Sequence, residues 1–279
     1  MKKELEKKEK KLRELVARWT QPSLRQPGGI EDACVEYGVA YGNWAYLCGE
    51  HFHLGEEEAT IDLAETIGLR PGMKLLDAAC YLGGPARQLA KTYQVEVTGL
   101  DISLAAVLGA QKITAAAGLE EQVKFVQGDA WNMPFAGESF QVVWGQDSWF
   151  HEEGLFEECA RVLKPNGWIA FTNSVRGEIY DVMEDDEAKI TYEAYTGREY
   201  AAMLAEAGFK VILQTDITEE MIAEWEKLLK RLIEERPYWE SKIGRLCYKH
   251  EQEALEIILQ DYYEKKIEHQ RITARKEAG

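Results

Sequence analysis

The chain has 279 residues, 46% of them hydrophobic, enough for a sizeable core and too many for global disorder. Lysine and arginine number 33 against 49 aspartates and glutamates; the net charge of -16 disfavours general nucleic-acid binding or residence on an anionic membrane, and suits cationic or zwitterionic small molecules. Cys34, Cys48, Cys80, Cys159 and Cys247 form no C-x-x-C pair, so reduced thiols and a cytoplasmic location are expected, with no signal core and no membrane span.

Met1–Trp19 carries Leu5, Leu12, Leu15, Val16 and Trp19 at the spacing of an amphipathic helix, either a solvated leader or a cap or dimer arm. After the Pro/Gly loop Gln21–Gly29 come Tyr37, Tyr41, Trp44 and Tyr46, which read equally as core rings or as a lid over a bound amine through cation–π contacts. His51 and His53 stand beside Glu56, Glu57 and Glu58, but no third ligand stands at a recognised spacing and no metal centre is expected. A helix over Glu57–Ile67 closes at Gly68.

Lys74–Ser103 reads as strand, turn, helix, strand. An apolar run ends at Asp77, Ala79 and Cys80; Gly83 and Gly84 punctuate a turn, and Pro85 suits a first helical position. The next strand, Val95–Leu100, ends at Asp101. Such a turn aims backbone N–H groups at whatever lies above the strand, and an acid about twenty residues on is placed to take ribose hydroxyls. The unit suggests a nucleoside-containing ligand.

Ser103 caps a helix over Leu104–Ala117 that Gly118 ends. Val123–Val126, Phe140–Trp144 and Trp168–Thr172 read as further strands, with a helix over Gly154–Leu163 and a turn at Lys164–Gly167. Alternating strands and helices give a mostly parallel sheet with helices on both faces, whose strand ends gather Asp77, Asp101, Asp129, Gln146, Asp147, His151, Asn173 and Ser174. Val175–Tyr195, acidic and tyrosine-rich, is long enough for a lid. Thr196 and Glu199 form a capping box for a helix over Tyr200–Ala207, and Phe209–Leu213 is a sixth strand. From Asp216 the pattern is mostly helical, with a break at Pro237; the tail Gln270–Gly279 makes a poor strand.

Through Val97–Ser103 (VTGLDIS), Gly128–Phe135 (GDAWNMPF), Trp144–His151 (WGQDSWFH), Glu158–Trp168 (ECARVLKPNGW) and Thr196–Phe209 (TGREYAAMLAEAGF), the chain resembles the class I S-adenosylmethionine-dependent methyltransferases, most of all the sarcosine/dimethylglycine and phosphoethanolamine N-methyltransferases. The resemblance spans roughly His51 to Leu213. It implies an α/β Rossmann-like fold with an N-terminal helical cap over residues 1–55, a cofactor unit over 56–215 with a lid at 175–195, and a C-terminal helical extension over 216–279, where a homodimer contact is one reading.

It further implies S-adenosylmethionine as cofactor and a small-molecule amine or zwitterion as acceptor. Asp77, Ala79, Cys80, Tyr81 and Gly83 would meet the methionine part and Asp101 the ribose, with Ile102, Asp129, Ala130 and Trp131 at the adenine and Gln146 under the sulfonium. Tyr41, Trp44, His53, Trp149, Asn173 and Tyr180 would line the acceptor site. His151 is the candidate base or else a helix cap, and Asp147 a partner for a substrate cation or else a turn acid.

One departure stands out: Ala79 and Tyr81 occupy positions where the family's turn has glycines, which allow conformations a Cβ penalises. The turn is either rebuilt with binding kept, or holds the cofactor in another pose for aminocarboxypropyl chemistry that releases methylthioadenosine, or has lost binding in a protein that keeps only the fold. The retained acids favour binding.

Overall fold

The computed structural model describes residues 50–149, 154–177 and 195–277. Seven strands form one sheet in the order β3-β2-β1-β4-β5-β7-β6: β1 (Lys74–Ala78), β2 (Glu96–Asp101), β3 (Val123–Gln127), β4 (Phe140–Gln146), β5 (Leu163–Arg176), β6 (Phe209–Asp216) and β7 (Ile267–Lys276). The first five run parallel; β7 lies antiparallel between β5 and β6. The expected α/β sheet with helices on both faces is present.

Side chains of successive strand residues point to opposite faces, so neighbours divide between two cores. Leu75, Val97, Phe125 and Trp144 pack under α1 (Glu56–Glu65), α2 (Gly84–Tyr93) and α3 (Leu104–Ala116), which contribute Leu63, Leu89 and Val107. Leu76, Leu100, Val143 and Phe171 face α4 (Leu155–Val162) and α5 (Gly197–Glu206), which contribute Phe156, Cys159 and Leu204. The expected helix starts are built as read: Ser103 Oγ accepts from Ala106 N–H, and Thr196 and Glu199 make a reciprocal capping box. The turn expected at Lys164–Gly167 falls inside the span of β5, as a register shift against β4 with Asn166 at φ +60°.

The C-terminal region differs from the sequence reading. The tail is a strand, not a poor candidate for one: Ile267–Lys276 pairs with β5 from Arg176 to Trp168 and with β6 on its other side. Helices α6 (Thr218–Glu234), α7 (Arg236–Ile243) and α8 (Arg245–Tyr263) are therefore an insertion between β6 and β7, not an extension. They share a core of Met221, Leu228, Leu232, Trp239 and Leu255 with Leu54, from the segment before α1. Among the described residues no helix is long and apolar enough to cross a membrane.

Candidate active site

The turn after β1 keeps the backbone path that glycines usually supply. Ala79, Tyr81 and Gly83 lie at φ +65°, +47° and +73°, three alternate residues in the left-handed region. For residues with a Cβ this conformation costs about 1 kcal/mol or more, held here by surrounding bonds. Ala79 and Cys80 N–H donate to Leu100 O at 2.8 and 3.0 Å, and Tyr81 N–H donates to Asp101 Oδ2 at 2.8 Å. The Tyr81 ring stacks on Phe52 with centroids 4.1 Å apart. The ring also packs beside Leu82 and Ile113, so it supports the turn through these contacts. Cys80 is buried, and burial pushes its thiol well above the usual range.

Two carboxylates face this turn. Asp101, at the end of β2, accepts from Ser103 N–H through Oδ1 at 2.8 Å and from Tyr81 through Oδ2. A carboxylate has about four acceptor sites, so both oxygens keep capacity for ribose hydroxyls. Asp77 is 3% exposed, and its Oδ2 has no hydrogen-bond partner among the described residues. Burial first, then the Asp101 charge, push the Asp77 carboxyl up to about 7, against the pull of Arg87. A buried acceptor without a donor beside a second acid suits a ligand that brings positive charge and N–H groups.

Beyond β2, Ile102 is 71% exposed and Trp131 is 41% exposed, so both present apolar surface near the strand ends, while Ala130 is buried. Asp129 Oδ1 accepts from Trp131 N–H at 2.9 Å. At the end of β4, Gln146 Oε1 accepts from Trp144 Nε1 at 3.0 Å and from Thr60 Oγ1 at 3.1 Å, and its Nε2 is buried with no partner among the described residues. Asp77 and Gln146 thus offer one orphan acceptor and one orphan donor from adjacent strands.

The residues expected at the acceptor side divide. His151, Tyr41, Trp44 and Tyr180 lie outside the described residues. Trp149 is a core residue and not an open chamber wall: it is 1% exposed, packs on Phe156 and Phe171, and donates from Nε1 to Ala78 O at 3.0 Å. Asn173 is likewise enclosed, donating from Nδ2 to Trp149 O at 2.6 Å and lying 2.7 Å from Tyr200 Oη. His53 is buried as well, with Nδ1 3.0 Å from Leu54 O and Nε2 3.1 Å from Thr60 Oγ1; burial lowers its pKa to about 4. His51 Nε2 sits 2.9 Å from Gln88 Oε1. Among the described residues no group of three His, Cys, Asp or Glu side chains is arranged to hold a metal.

Asp147 is joined by two residues that the sequence reading missed. Its Oδ1 lies 2.8 Å from His269 Nε2, on β7, and accepts from Thr172 Oγ1 at 2.9 Å; His269 Nδ1 lies 3.0 Å from Tyr262 Oη, on α8. No local signal could have found them, since 122 residues separate His269 from Asp147. Asp147 itself sits at φ +52°. A separate cleft of about 640 Å³, lined by His51, Glu58, Arg87, Gln88 and Ile113 among others, lies beside α1–α3 and includes none of the strand-end acids.

Residues 75–167 match a family model described as a methyltransferase domain. A sterol 24-C-methyltransferase of Gibberella zeae is 35% identical over 219 residues, 72% of this chain and 57% of that protein. A cycloartenol-C-24-methyltransferase of Arabidopsis thaliana is 28% identical over 212 residues, 68% of this chain and 63% of that protein. The chain thus spans less than two thirds of either relative. In fold it is similar to a proposed sarcosine dimethylglycine methyltransferase of Galdieria sulphuraria, at TM-score 0.74 and 21% identity over 86% of this chain and 98% of the other. It is also similar to a Haemonchus contortus phosphoethanolamine N-methyltransferase, at TM-score 0.79 and 18% identity over 91% of this chain and 62% of the other. With the turn, the two acids and this sheet order in place, residues 75–167 form a methyltransferase domain suited to S-adenosylmethionine as methyl donor.

Proposed function

We propose that the protein is a methyltransferase whose acceptor is a sterol-like small molecule carrying an alkene, methylated at carbon. The observation that carries the acceptor class is the 35% identity to a sterol 24-C-methyltransferase over 72% of the chain. S-adenosylmethionine, when bound, supplies a methyl group on a positively charged sulfur for in-line displacement. The chain's task is to align donor and acceptor, exclude water and balance charge.

In this reading the turn 79–83 carries the methionine part, with Asp77 Oδ2 and Gln146 Nε2 as orphan partners for its polar groups. Asp101 takes the ribose hydroxyls, and Ile102 and Trp131 offer apolar surface to the adenine. The acceptor occupies the space beyond the ends of β4 and β5, where Asp147 stands.

A second reading keeps an amine or zwitterion as acceptor. It is favoured by Asp147, a carboxylate with 22% of its side chain exposed that suits an ammonium. In both readings the cofactor leaves as S-adenosylhomocysteine; the left-handed path kept at Ala79 and Tyr81 speaks for an ordinary cofactor pose and against methylthioadenosine.

The test is calorimetry with S-adenosylmethionine, then incubation with a panel of side-chain-unsaturated sterols, sarcosine, dimethylglycine and phosphoethanolamine, with products identified by mass. A methylated sterol with S-adenosylhomocysteine supports the first reading, a methylated amine the second. Methylthioadenosine as the nucleoside product, or no cofactor binding, removes both.

A further inference from the structure

Three groups from distant parts of the chain meet at the end of β4. Asp147 belongs to the β4 end, His269 to β7 and Tyr262 to the last turns of α8. His269 and Tyr262 are each 3% exposed. An ionised carboxylate can only accept, so His269 Nε2 is the donor to Asp147 Oδ1. In the neutral ring Nδ1 then accepts, and it accepts from the Tyr262 hydroxyl. Thr172 Oγ1–H also donates to Oδ1. Every polar atom in the chain from Tyr262 to Oδ1 is satisfied in one direction.

The same arrangement leaves Oδ2 with no hydrogen bond among the described residues, although Asp147 keeps 22% of its side chain exposed. Burial alone would push the Asp147 carboxyl up; the His269 ring, then His53 and Thr172, outweigh it and hold the group below its usual range. Among the described residues the groups that face it are His269 from β7, His53 from the segment before α1, and Thr172 from β5, with the Tyr262 hydroxyl behind His269. Burial and the Asp147 charge push the Tyr262 phenol up, so it stays a proton donor.

We propose that His269 and Tyr262 are positioning residues that fix one oxygen of Asp147 and so present the other to the acceptor as a stationary anion. The inference rests on the methyltransferase reading. In methyl transfer the C–S bond breaks with its pair going to sulfur, and the acceptor's lone pair or π pair makes the new bond. The positive charge passes to the acceptor, as an ammonium from an amine or a carbocation from an alkene. A fixed carboxylate stabilises either product more than the neutral acceptor, and because it is already oriented nothing must reorganise during the step.

The test needs a readout apart from turnover. Carbon-13 titration of the Asp147 carboxyl in aspartate-labelled protein, assigned by its loss in Asp147→Asn, follows the anion without cofactor. His269→Leu is expected to raise the midpoint by about one pH unit or more, and Tyr262→Phe by less. His269→Gln, whose amide can still donate, should restore most of the wild-type value. With the acceptor from the panel above, His269→Leu should lower kcat at least tenfold with S-adenosylmethionine affinity within twofold, and His269→Gln should recover most of that loss. An unchanged midpoint in His269→Leu overturns the proposal, as does equal failure of the Leu and Gln variants. Should His269→Leu fail to fold, an unchanged midpoint in Tyr262→Phe overturns it. Failure of the wild type to bind S-adenosylmethionine sinks the methyltransferase reading instead, while the titration still judges the positioning.

Discussion

The two groups of acids at the strand ends, one at β1 and β2 and one at β4 and β7, are built in opposite ways. At β1 and β2 the protein concentrates like charge: Asp77 and Asp101 both have raised pKa values, Asp77 leaves an oxygen without a donor, and the turn beside them holds two non-glycine residues at positive φ. At β4 and β7 it favours and holds one charge: Asp147 is kept below its usual range by the His269 ring, His53 and Thr172, and His269 is in turn bonded to Tyr262. The first end carries an electrostatic deficit that a bound cation relieves. The second has one carboxylate oxygen fixed before any ligand arrives and the other left open among the described residues, which fits charge that appears only during a reaction.

The largest expected effect tests the deficit directly. Between about pH 4 and pH 7 the folded protein keeps a proton on Asp77 that the unfolded chain has lost, so stability falls as pH rises through that window. A shift of about three pH units corresponds to up to about 4 kcal/mol. Urea unfolding of the ligand-free protein at stepped pH should show this decline, and Asp77→Asn should flatten it; an equal slope in the variant would remove the contrast between the two ends. Next, Asp101→Ala takes away the proposed ribose acceptor and the tie to Tyr81 and Ser103. Calorimetry should find S-adenosylmethionine binding weakened about a hundredfold, or about 3 kcal/mol, whereas His269→Leu should leave it nearly unchanged.

A smaller effect is steric. A Cβ at Gly99 would lie 2.5 Å from the Phe125 ring and 2.7 Å from Cys80 Sγ, so Gly99→Ala should cost about 1–3 kcal/mol in urea unfolding by pushing on the turn from below. The smallest expected change is a gain. Ala79→Gly relieves a Cβ at φ +65° and should stabilise by up to about 1 kcal/mol. Tyr81→Gly should lose stability despite its φ of +47°, because it also removes the ring stacked on Phe52. If both glycine variants gained equally, the supporting role of Tyr81 would be wrong.

The same contrast governs what could be read from the sequence. The proposed cofactor end lies within one run of about thirty residues, so strand, turn, helix and acid carry their spacing in the chain, and Pro85 and Ser103 stand in their expected places. Tyr81 leaves three readings open in the sequence, because the sequence shows the ring and not its direction. The proposed acceptor end comes from β4, β5, α8 and β7, and no spacing rule links Asp147 to His269. The strand β7 was also illegible locally. Its Arg and Lys residues look like a solvated tail, and only Ile272, Thr273 and Ala274 are successively buried, in the middle of β7 between two neighbouring strands. Trp149 turns into the core and not toward the acceptor side, a direction that a tryptophan at a strand end does not reveal in the sequence.

The position of β7 also sets the order in which the protein can become complete during synthesis. Through most of translation β5 has an open edge and β6 has no neighbour, because the strand that joins them follows the helical insertion over residues 217–266. Such a long-range closure is slow relative to local helix formation. The turn after β1, with Asp77 and Asp101, can assemble from the first half of the chain while the ribosome is still working. The imidazole that holds Asp147 arrives with the final strand, so a nascent chain can acquire its donor site well before it acquires an oriented anion.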